Sequence, residues 1–322
     1  MDNSERMQTY VIKNIAEYID ILKEVKSKQN RVSDLLWYRG QSDASYYLLP
    51  SALRDTIPIV NSRGFAIKDQ KWSISSGDIV VGLRCEKMLD DFKRQAIRFL
   101  NIIPKNDFEW MFIAQHHGIP TRLLDWSLNP LVALFFALPR SISESDYEEK
   151  MRNEFGEKQS HSNICKMFLS EQYSSHGAAV FIIDPYEINK WCVGTGEKLV
   201  PPINVVEKFE KWKPYLHPMD EGLTADLPIC IYSSNIDDRI NSQYGHFTLH
   251  GSFIHPLEHY LPTRPSIHKI FIPYYCINEI RNELFTLGIT ESVLFPGLDS
   301  LANDIKRGEE DYFTRIKKEG YF

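Results

Sequence analysis

Cysteine is scarce in this chain, and the few cysteines are not arranged to cross-link it. Only five occur among 322 residues, an odd number, and no two of them form a C-x-x-C pair. This pattern argues against a disulfide framework and against a zinc knuckle. It is typical of reduced thiols, and it predicts a cytoplasmic protein.

Long apolar stretches and an excess of positive charge are also missing. The longest uninterrupted apolar run, residues 131–138, is far shorter than the roughly 20 residues of a membrane-spanning helix. The opening residues, MDNSERMQTY, lack the apolar core of a signal peptide. A net charge of -6 gives no overall basic field for tight, nonspecific nucleic-acid binding, although a local basic groove is compatible with it. We therefore expect no membrane association.

The apolar content is high enough for one sizeable core, because 43% of the residues are hydrophobic and 12% are aromatic. Helical periodicity dominates the first half, at residues 10–26, 83–99 and 108–116. Strand-like apolar runs follow at residues 178–184, 227–232, 246–251, 269–273 and 293–295. This order favours an α+β fold. We expect an N-terminal helix within residues 1–30 and one domain over residues 31–322, with a polar insertion near residues 141–176 and a loop at 56–76.

The densest polar cluster is QHHGIPTRLLDWSLNPLVALFFAL, residues 115–138, which we interpret as a loop leading into a very apolar helix. Polar groups at the mouth of a buried element either cap that element or bind a ligand. Asp125 and Ser127 would then orient a ribose or an amide, with Trp126 as a stacking wall. Alternatively, Ser127 is only a helix cap and Trp126 only a core residue.

A second cluster surrounds a short aromatic strand that ends in Tyr38-Arg39-Gly40-Gln41. An arginine in this position can present its guanidinium to a phosphate, while the following glycine lets the backbone come close. Alternatively, Arg39 pairs with a carboxylate such as Glu86 or Asp125.

Three further patterns have open interpretations. Glu291 precedes the strand predicted at 293–295, so it lies either at the mouth of a sheet or idle on the surface. Gln243 precedes the strand predicted at 246–251 and either binds substrate or forms a turn. His255 and His259 match the letters H-x-x-E-H of a zinc peptidase, but the surrounding prolines leave no helix to hold both imidazoles on one metal. We therefore expect no metal site.

The segments WYRGQ, FKRQA, QHHGIPTRLLDWSLNPLVALFFA, RINSQYGHFTLHG and GITESVLFPGLD occur in this order. Together they resemble the FRG domain family of bacterial and phage-associated proteins. The resemblance runs from about Leu35 to Asp304, and the HGIPTRLLDWS block is its most specific part.

A more distant similarity is to mono-ADP-ribosyltransferases of the Arg–Ser–Glu class. Arg39 lies in Y-R-G, Ser127 ends D-W-S before an apolar helix, and Glu291 precedes S-V-L-F-P-G. Two departures stand out: only the last serine of the middle motif is retained, and the glutamate expected two residues before Glu291 is Ile289. Gln243 or Glu86 are therefore alternatives for the catalytic polar group.

This second resemblance implies an ADP-ribosyltransferase-like split β-sheet core with helices packed on it and an N-terminal helical region. It implies NAD+ as substrate, no metal, and Arg39, Ser127 and Glu291 as the catalytic set. Arg39 would hold the phosphates, Ser127 would support it, and Glu291 would stabilise charge developing on the ribose. The residues expected to bind NAD+ are Arg39, Gly40, Gln41, His117, Thr121, Arg122, Asp125, Trp126 and Gln243.

The resemblance also implies an acceptor, either RNA or protein, and a toxin role in a toxin–antitoxin or phage-defence system with an antitoxin or chaperone partner. A small basic groove would suit RNA, formed by Arg54, Lys93, Arg94, Arg98 and Lys105. The alternative function is a non-catalytic FRG module that binds a nucleotide or a partner through the same cleft.

Overall fold

A computed structural model of the chain describes residues 7–29, 35–54, 57–60, 79–100, 102–139, 161–194, 196, 198–218, 225–234 and 243–318. The strands are β1 Gln8–Val11, β2 Trp37–Gln41, β3 Ile57–Val60, β4 Ile79–Val81, β5 Leu123–Ser127, β6 Gly177–Ile183, β7 Ile229–Ile231, β8 Gly245–Leu249 and β9 Ile267–Pro273. The α-helices are α1 Ile15–Lys28, α2 Ser51–Arg54, α3 Cys85–Ala96, α4 Asp107–His116, α5 Pro130–Ala137, α6 His161–Glu171, α7 Pro185–Cys192, α8 Phe209–Trp212, α9 Ile277–Thr286, α10 Glu291–Leu294 and α11 Leu298–Lys318.

Seven strands form one mixed sheet in the order β1-β9-β6-β2-β5-β8-β7, and β3 and β4 form a separate pair. β1 runs parallel to β9, whereas the other neighbours in the sheet are antiparallel. The expected α+β class is confirmed. The N-terminal segment contributes to this sheet through β1, and α1 follows with Ile15, Tyr18 and Val25 buried.

The sheet is covered on both faces, which explains why β6 is buried along its whole length. Apolar residues of α1, α5 and α9 pack with Val180 and Ile182 on one face. Residues of α6 and α7 pack with Phe181 and Ile183 on the other. Side chains alternate between the faces of a strand, so a strand covered on both sides is apolar throughout.

α5 lies directly against β2, and its start is fixed by its sequence. Asn129 accepts a hydrogen bond from the backbone N–H of Leu131 at 2.9 Å, and Pro130 occupies the first turn. The cap is therefore Asn129 and not Ser127, which the sequence had suggested as a cap. A Cβ at Gly40 would lie only 2.0 Å from the carbonyl oxygen of Ala133, so glycine is required there for the helix to pack on the strand.

β2 and β5 are neighbours in the middle of the sheet, but they pair through a single position. Tyr38 pairs with Ser127, whereas β2 pairs with β6, and β5 with β8, over five positions each. Beyond that pair the two strands diverge. We call this region the seam.

A fully buried lysine connects β9 with the segment that follows β2. The Lys269 ammonium donates hydrogen bonds to the carbonyl oxygens of Ala44 at 2.7 Å and Gln172 at 2.8 Å. The centre of the Tyr173 ring lies 4.1 Å from Nζ. Burial lowers the pKa of Lys269, and it raises the pKa of the buried carboxyl of Glu258.

Several local expectations were wrong. Glu291–Leu294 is a helix rather than the approach to a strand, because Asp304 accepts hydrogen bonds from the backbone N–H groups of Glu291 and Ser292. Leu123–Ser127, interpreted as part of a loop, is β5. Ile57–Val60, also expected in a loop, is β3, while residues 61–78 lie outside the described residues.

The predicted polar insertion near residues 141–176 is described only in part. Residues 140–160 lie outside the described residues, but the later part contains α6. Within the part of the chain that the structure describes, no helix has both the length and the apolar character needed to span a membrane.

Candidate functional site

A cavity of about 300 Å³ opens at the seam, next to the point where β2 and β5 diverge. This volume is at the lower end of the range for ligand pockets, roughly 300–1,000 Å³. Charged, amide and aromatic residues from β2, α4, β5, α5 and the start of β8 line it: Tyr38, Arg39, Gly40, Phe112, Gln115, His116, Asp125, Trp126, Ser127, Ala133, Phe136, Gln243, Gly245 and Phe247.

Arg39 brings a largely buried cation into this cavity, its side chain being only 15% exposed. Nη1 donates a hydrogen bond to the backbone carbonyl of Asp125 at 2.8 Å and lies 3.6 Å from its carboxylate Oδ2. Burial lowers the pKa of Arg39 to about 10, a shift that Asp125 opposes, so the guanidinium stays charged at neutral pH. The buried Nε has no hydrogen-bond partner among the described residues. The part of the Arg39 side chain that stays exposed lines the cavity, where it can meet an anionic ligand.

Asp125 is the carboxylate beside Arg39, so the pairing considered from the sequence is correct, with Asp125 rather than Glu86. Its Oδ2 accepts a hydrogen bond from the Gln115 amide at 2.9 Å, and the side chain is 54% exposed. The Gln115 carbonyl in turn accepts from the hydroxyl of Thr121 at 2.7 Å. Arg39 both pairs with a carboxylate and faces the cavity, and the two interpretations of this residue are compatible.

Ser127 lines the cavity, but other parts of the chain use its hydroxyl. Oγ donates to the backbone carbonyl of Gln243 at 2.7 Å and accepts from the backbone N–H of Asn129 at 3.0 Å. The Gln243 amide donates to the carbonyl of Leu294 at 3.2 Å. Ser127 thus fixes the approach to β8 beside the start of α5, and Gln243 connects that approach with α10.

Aromatic rings supply the apolar part of the wall. Phe112 and Phe247 are stacked, with ring centres 5.0 Å apart and planes 9° apart. Phe136 and His116 also line the cavity. Apolar rings facing a charged guanidinium are a combination that suits a planar ligand with an anionic group.

Glu291 does not line this cavity. It lines a neighbouring groove of about 820 Å³, formed by α5, α9, α10 and α11. Phe136 borders both spaces, and its ring contacts Phe295 at 5.7 Å between centres. The structure therefore brings Arg39, Asp125, Ser127 and Gln243 together and leaves Glu291 outside. The expectation that Glu291 lies at the mouth of the sheet was wrong, because the segment after it is helical.

Three residues expected to bind NAD+ have internal partners instead. Gln41 is buried and donates to the carbonyl of Tyr47 at 3.2 Å. Thr121 is also buried, and its hydroxyl is held by Gln115 and by the N–H of Leu123. Arg122 donates to the carbonyl of Gly251 at 2.8 Å. It lines a different cavity, of about 30 Å³, together with Glu86, so that alternative carboxylate does not line the seam cavity.

Two more of these residues are not placed as the expectation requires. The Trp126 indole donates to the hydroxyl of Thr248 at 3.1 Å within the apolar core, so it is a core residue rather than a stacking wall. His117 is exposed at the end of α4, and its neighbour His116 lines the cavity. Gly40 borders the cavity, but its closest neighbours are backbone atoms of α5.

Sequence reasoning missed Gln115, His116 and the three phenylalanines of the cavity. Gln115 and His116 stand in the QHHG cluster, so their polarity in an otherwise apolar stretch was a usable signal. Phe112, Phe136 and Phe247 carried none, because an aromatic residue in a buried element normally indicates core packing.

The structure gives no support to a metal centre. Among the described residues, no group of three or more His, Cys, Asp or Glu side chains is placed to hold a metal ion. His259 lies in a short 3-10 helix that cannot place it beside His255 as the zinc motif requires.

The basic groove proposed for RNA is partly neutralised. Lys93 pairs with Asp107 at 2.7 Å, and Arg94 pairs with Asp91. Because these cations already have carboxylate partners, they are weak candidates for phosphate contacts.

The FRG domain family model matches residues 34–146, so the chain contains an FRG domain. The matched range includes Arg39, Asp125 and Ser127, whereas Gln243 and Phe247 complete the cavity from outside it. Comparison with curated proteins and with solved structures found no match.

Proposed function

We propose that the seam cavity binds NAD+ and that the chain is an ADP-ribosyltransferase. The observation that carries this proposal is the Arg39 guanidinium, largely buried in a cavity with aromatic walls, with Nε unpaired beside Asp125. The divergence of β2 and β5 also suits the split sheet that the resemblance to Arg–Ser–Glu transferases implies.

Binding would divide between the charged and the aromatic parts of the wall. The exposed part of the Arg39 guanidinium would offer N–H donors to phosphate oxygens. Phe136, which is partly exposed, offers apolar surface to the nicotinamide ring. A cavity of about 300 Å³ encloses roughly one nucleotide half of NAD+, so the other half would extend through the mouth.

The proposed chemistry needs negative charge near the ribose. The bond between the anomeric carbon and the nicotinamide nitrogen breaks, and nicotinamide leaves with the electron pair. An acceptor nucleophile then bonds to that carbon and gives up its proton. A carboxylate stabilises the positive charge that develops on the sugar.

The structure changes which residue we propose as the source of this negative charge. Among the described residues that line the cavity, Asp125 is the carboxylate, so it takes the role that the resemblance gave to Glu291. Gln243 directly precedes the strand region of β8, as the resemblance expects of the catalytic acid, and would hydrogen-bond a ribose hydroxyl. We still propose RNA or protein as the acceptor. The toxin role and an antitoxin or chaperone partner are also proposals.

A second candidate, a non-catalytic nucleotide-binding module, is favoured by one observation. Asp125 is engaged by both Gln115 and Arg39, which leaves it less free to face a reacting sugar. This alternative predicts that NAD+ binds and that no nicotinamide is released.

The deciding experiment measures nicotinamide release from labelled NAD+ in the presence of total RNA and protein, and asks which fraction becomes labelled. Arg39→Ala should weaken NAD+ binding by roughly tenfold to a hundredfold, since a hydrogen bond to a charged group contributes about 1.5–3 kcal/mol. Asp125→Asn should abolish release, and Glu291→Gln should retain it. Arg84→Ala, an exposed arginine outside both the cavity and the basic groove, is the matched control.

Two outcomes would contradict parts of this proposal. Binding without release in the unchanged protein supports the module instead of the enzyme. Loss of release in Glu291→Gln with retention in Asp125→Asn, both folded by circular dichroism, overturns the assignment of Asp125.

A further inference from the structure

We propose that Gln115 is a positioning residue, which holds the Asp125 carboxylate and through it sets the Arg39 guanidinium for phosphate binding. The inference deepens the proposed function and rests on it. Gln115 lines the cavity from the last turn of α4, whereas Asp125 lies on β5 and Arg39 on β2. One side chain therefore connects a helix with both strands that border the seam.

The hydrogen bonds around Gln115 favour one orientation of its amide. The Thr121 hydroxyl accepts from the N–H of Leu123 at 3.0 Å and donates to the Gln115 carbonyl at 2.7 Å. The Gln115 nitrogen faces two acceptors: it donates to Oδ2 of Asp125 at 2.9 Å and lies 3.5 Å from the carbonyl oxygen of Leu123.

Asp125 needs such a support because its side chain is 54% exposed and could rotate into solvent. Held by Gln115, it keeps Oδ2 3.6 Å from Nη1 of Arg39, next to the 2.8 Å bond from Nη1 to the Asp125 carbonyl. Both contacts involve Nη1. The rest of the guanidinium is thereby held in place at the cavity for an anion, which is the feature that the proposed function uses.

The end of α4 does not depend on the Gln115 side chain. Backbone bonds close it, from His117 N–H to Ile113 O at 3.0 Å and from Ile119 N–H to Ala114 O at 3.0 Å. Gly118 follows with φ +82° in open space, the conformation that ends helices. A change confined to the Gln115 amide should therefore alter the cavity more than the fold.

The test measures ADP-ribose binding by calorimetry in three proteins: unchanged, Gln115→Leu and Gln115→Glu. Gln115→Leu removes the donor and should raise the Kd about tenfold, the size of one hydrogen bond to a charged group. Gln115→Glu replaces the amide by a carboxyl next to Asp125. Two carboxyls this close share a proton, and the introduced group has a raised pKa.

The pH dependence of Gln115→Glu separates positioning from a merely structural role. At about pH 5 the introduced carboxyl is protonated and can donate to Asp125, so affinity should approach that of the unchanged protein. As the pH rises to about 8, that proton is lost, the two carboxylates repel and affinity should fall below that of Gln115→Leu.

Other charged groups face the same place: Arg39 from β2, Asp125 from β5, His116 from α4, and Arg54 from α2 through its effect on Arg39. The quantity compared is therefore the ratio of each variant to the unchanged protein at the same pH. His117→Gln, an exposed neighbour outside the cavity, should bind ADP-ribose as the unchanged protein does.

A pH-independent ratio for Gln115→Glu, or an unchanged Kd for Gln115→Leu, overturns the positioning role. If the unchanged protein does not bind ADP-ribose, the proposed function fails. The positioning role is then decided without ligand by nuclear magnetic resonance of the Arg39 side-chain nitrogens. Gln115→Leu should speed rotation of the guanidinium about its Nε–Cζ bond, and an unchanged rate rejects the role.

Discussion

Arg39 shows how one residue can serve both packing and binding. Its position on β2 places the side chain at the seam, where a backbone carbonyl and a carboxylate of the same residue, Asp125, hold one end of the guanidinium. The buried Nε has no partner among the described residues. A largely buried cation with an unsatisfied N–H is costly unless an anion offsets its charge, so the proposal rests on Arg39.

Gly40, the next residue, provides a stability prediction. Gly40→Ala should lower the free energy of unfolding by about 3 kcal/mol, because its Cβ would clash with backbone atoms of α5 that cannot rotate away. Urea unfolding followed by circular dichroism measures this loss. Gly297→Ala, where a Cβ meets nothing, should change stability by no more than about 0.5 kcal/mol. Equal effects in the two variants contradict the packing argument.

Among the elements, α10 and β5 show where local patterns fail. Val293, Leu294 and Phe295 form an apolar triplet that suits a strand, yet a carboxylate thirteen residues away from Glu291 caps the segment as a helix. Such a partner leaves no mark on the local sequence. In β5 the polar residues that indicated a loop line the cavity, so a strand that borders a polar space accounts for them.

Other elements were predictable, because their signals are local. The apolar run of β6 and the Asn129-Pro130 start of α5 both depend on neighbours in the sequence. The order of the strands and the membership of the cavity depend on long-range packing. For that reason Arg39, Asp125 and Ser127 were identifiable as residues of interest, whereas the exclusion of Glu291 required coordinates.

The cap of α10 gives a prediction with a pH dependence. Partial burial acts to raise the pKa of Asp304, but hydrogen bonds from Ser292 and Glu291 outweigh it and lower the pKa overall. A lowered folded pKa stabilises the protein above the ordinary aspartate pKa, and this contribution is lost as the pH falls through the folded pKa. Asp304→Ala should cost about 1 kcal/mol at neutral pH and progressively less in acid.

Denaturant unfolding at pH 7 and at about pH 3 checks the change in this difference. Glu309→Ala, an exposed acidic residue on the same helix, is the control and should show a difference near zero at both pH values. A deficit for Asp304→Ala that stays constant in acid would show that the carboxylate is not its cause.

At the scale of the whole molecule, the seven-stranded sheet divides into two half-sheets that meet at the seam. β1, β9, β6 and β2 form one half, and β5, β8 and β7 form the other. Residues from both halves line the cavity, so a ligand there touches each of them. The groove that contains Glu291 lies on the far side of Phe136 and is a separate space.

This arrangement predicts where a ligand changes backbone dynamics. ADP-ribose should slow amide hydrogen exchange most in β2 and β5, because exchange there requires opening of the weakly paired seam. Mass spectrometry of the exchanged protein measures this, with β6 and β9, paired over seven positions, as the internal reference. Protection confined to α9 and α11 would place the ligand in the other groove.

The single pairing of Tyr38 with Ser127 has a mechanical consequence. One paired position resists bending less than five do, so we expect the angle between the half-sheets to change more easily than the geometry within β2–β6 or β5–β8. A dinucleotide bound across the seam would hold the two half-sheets at a fixed angle. Its affinity would then depend on how far the sheet stiffens on binding, so substitutions that alter this pairing would change the affinity through the sheet as well as through the cavity wall.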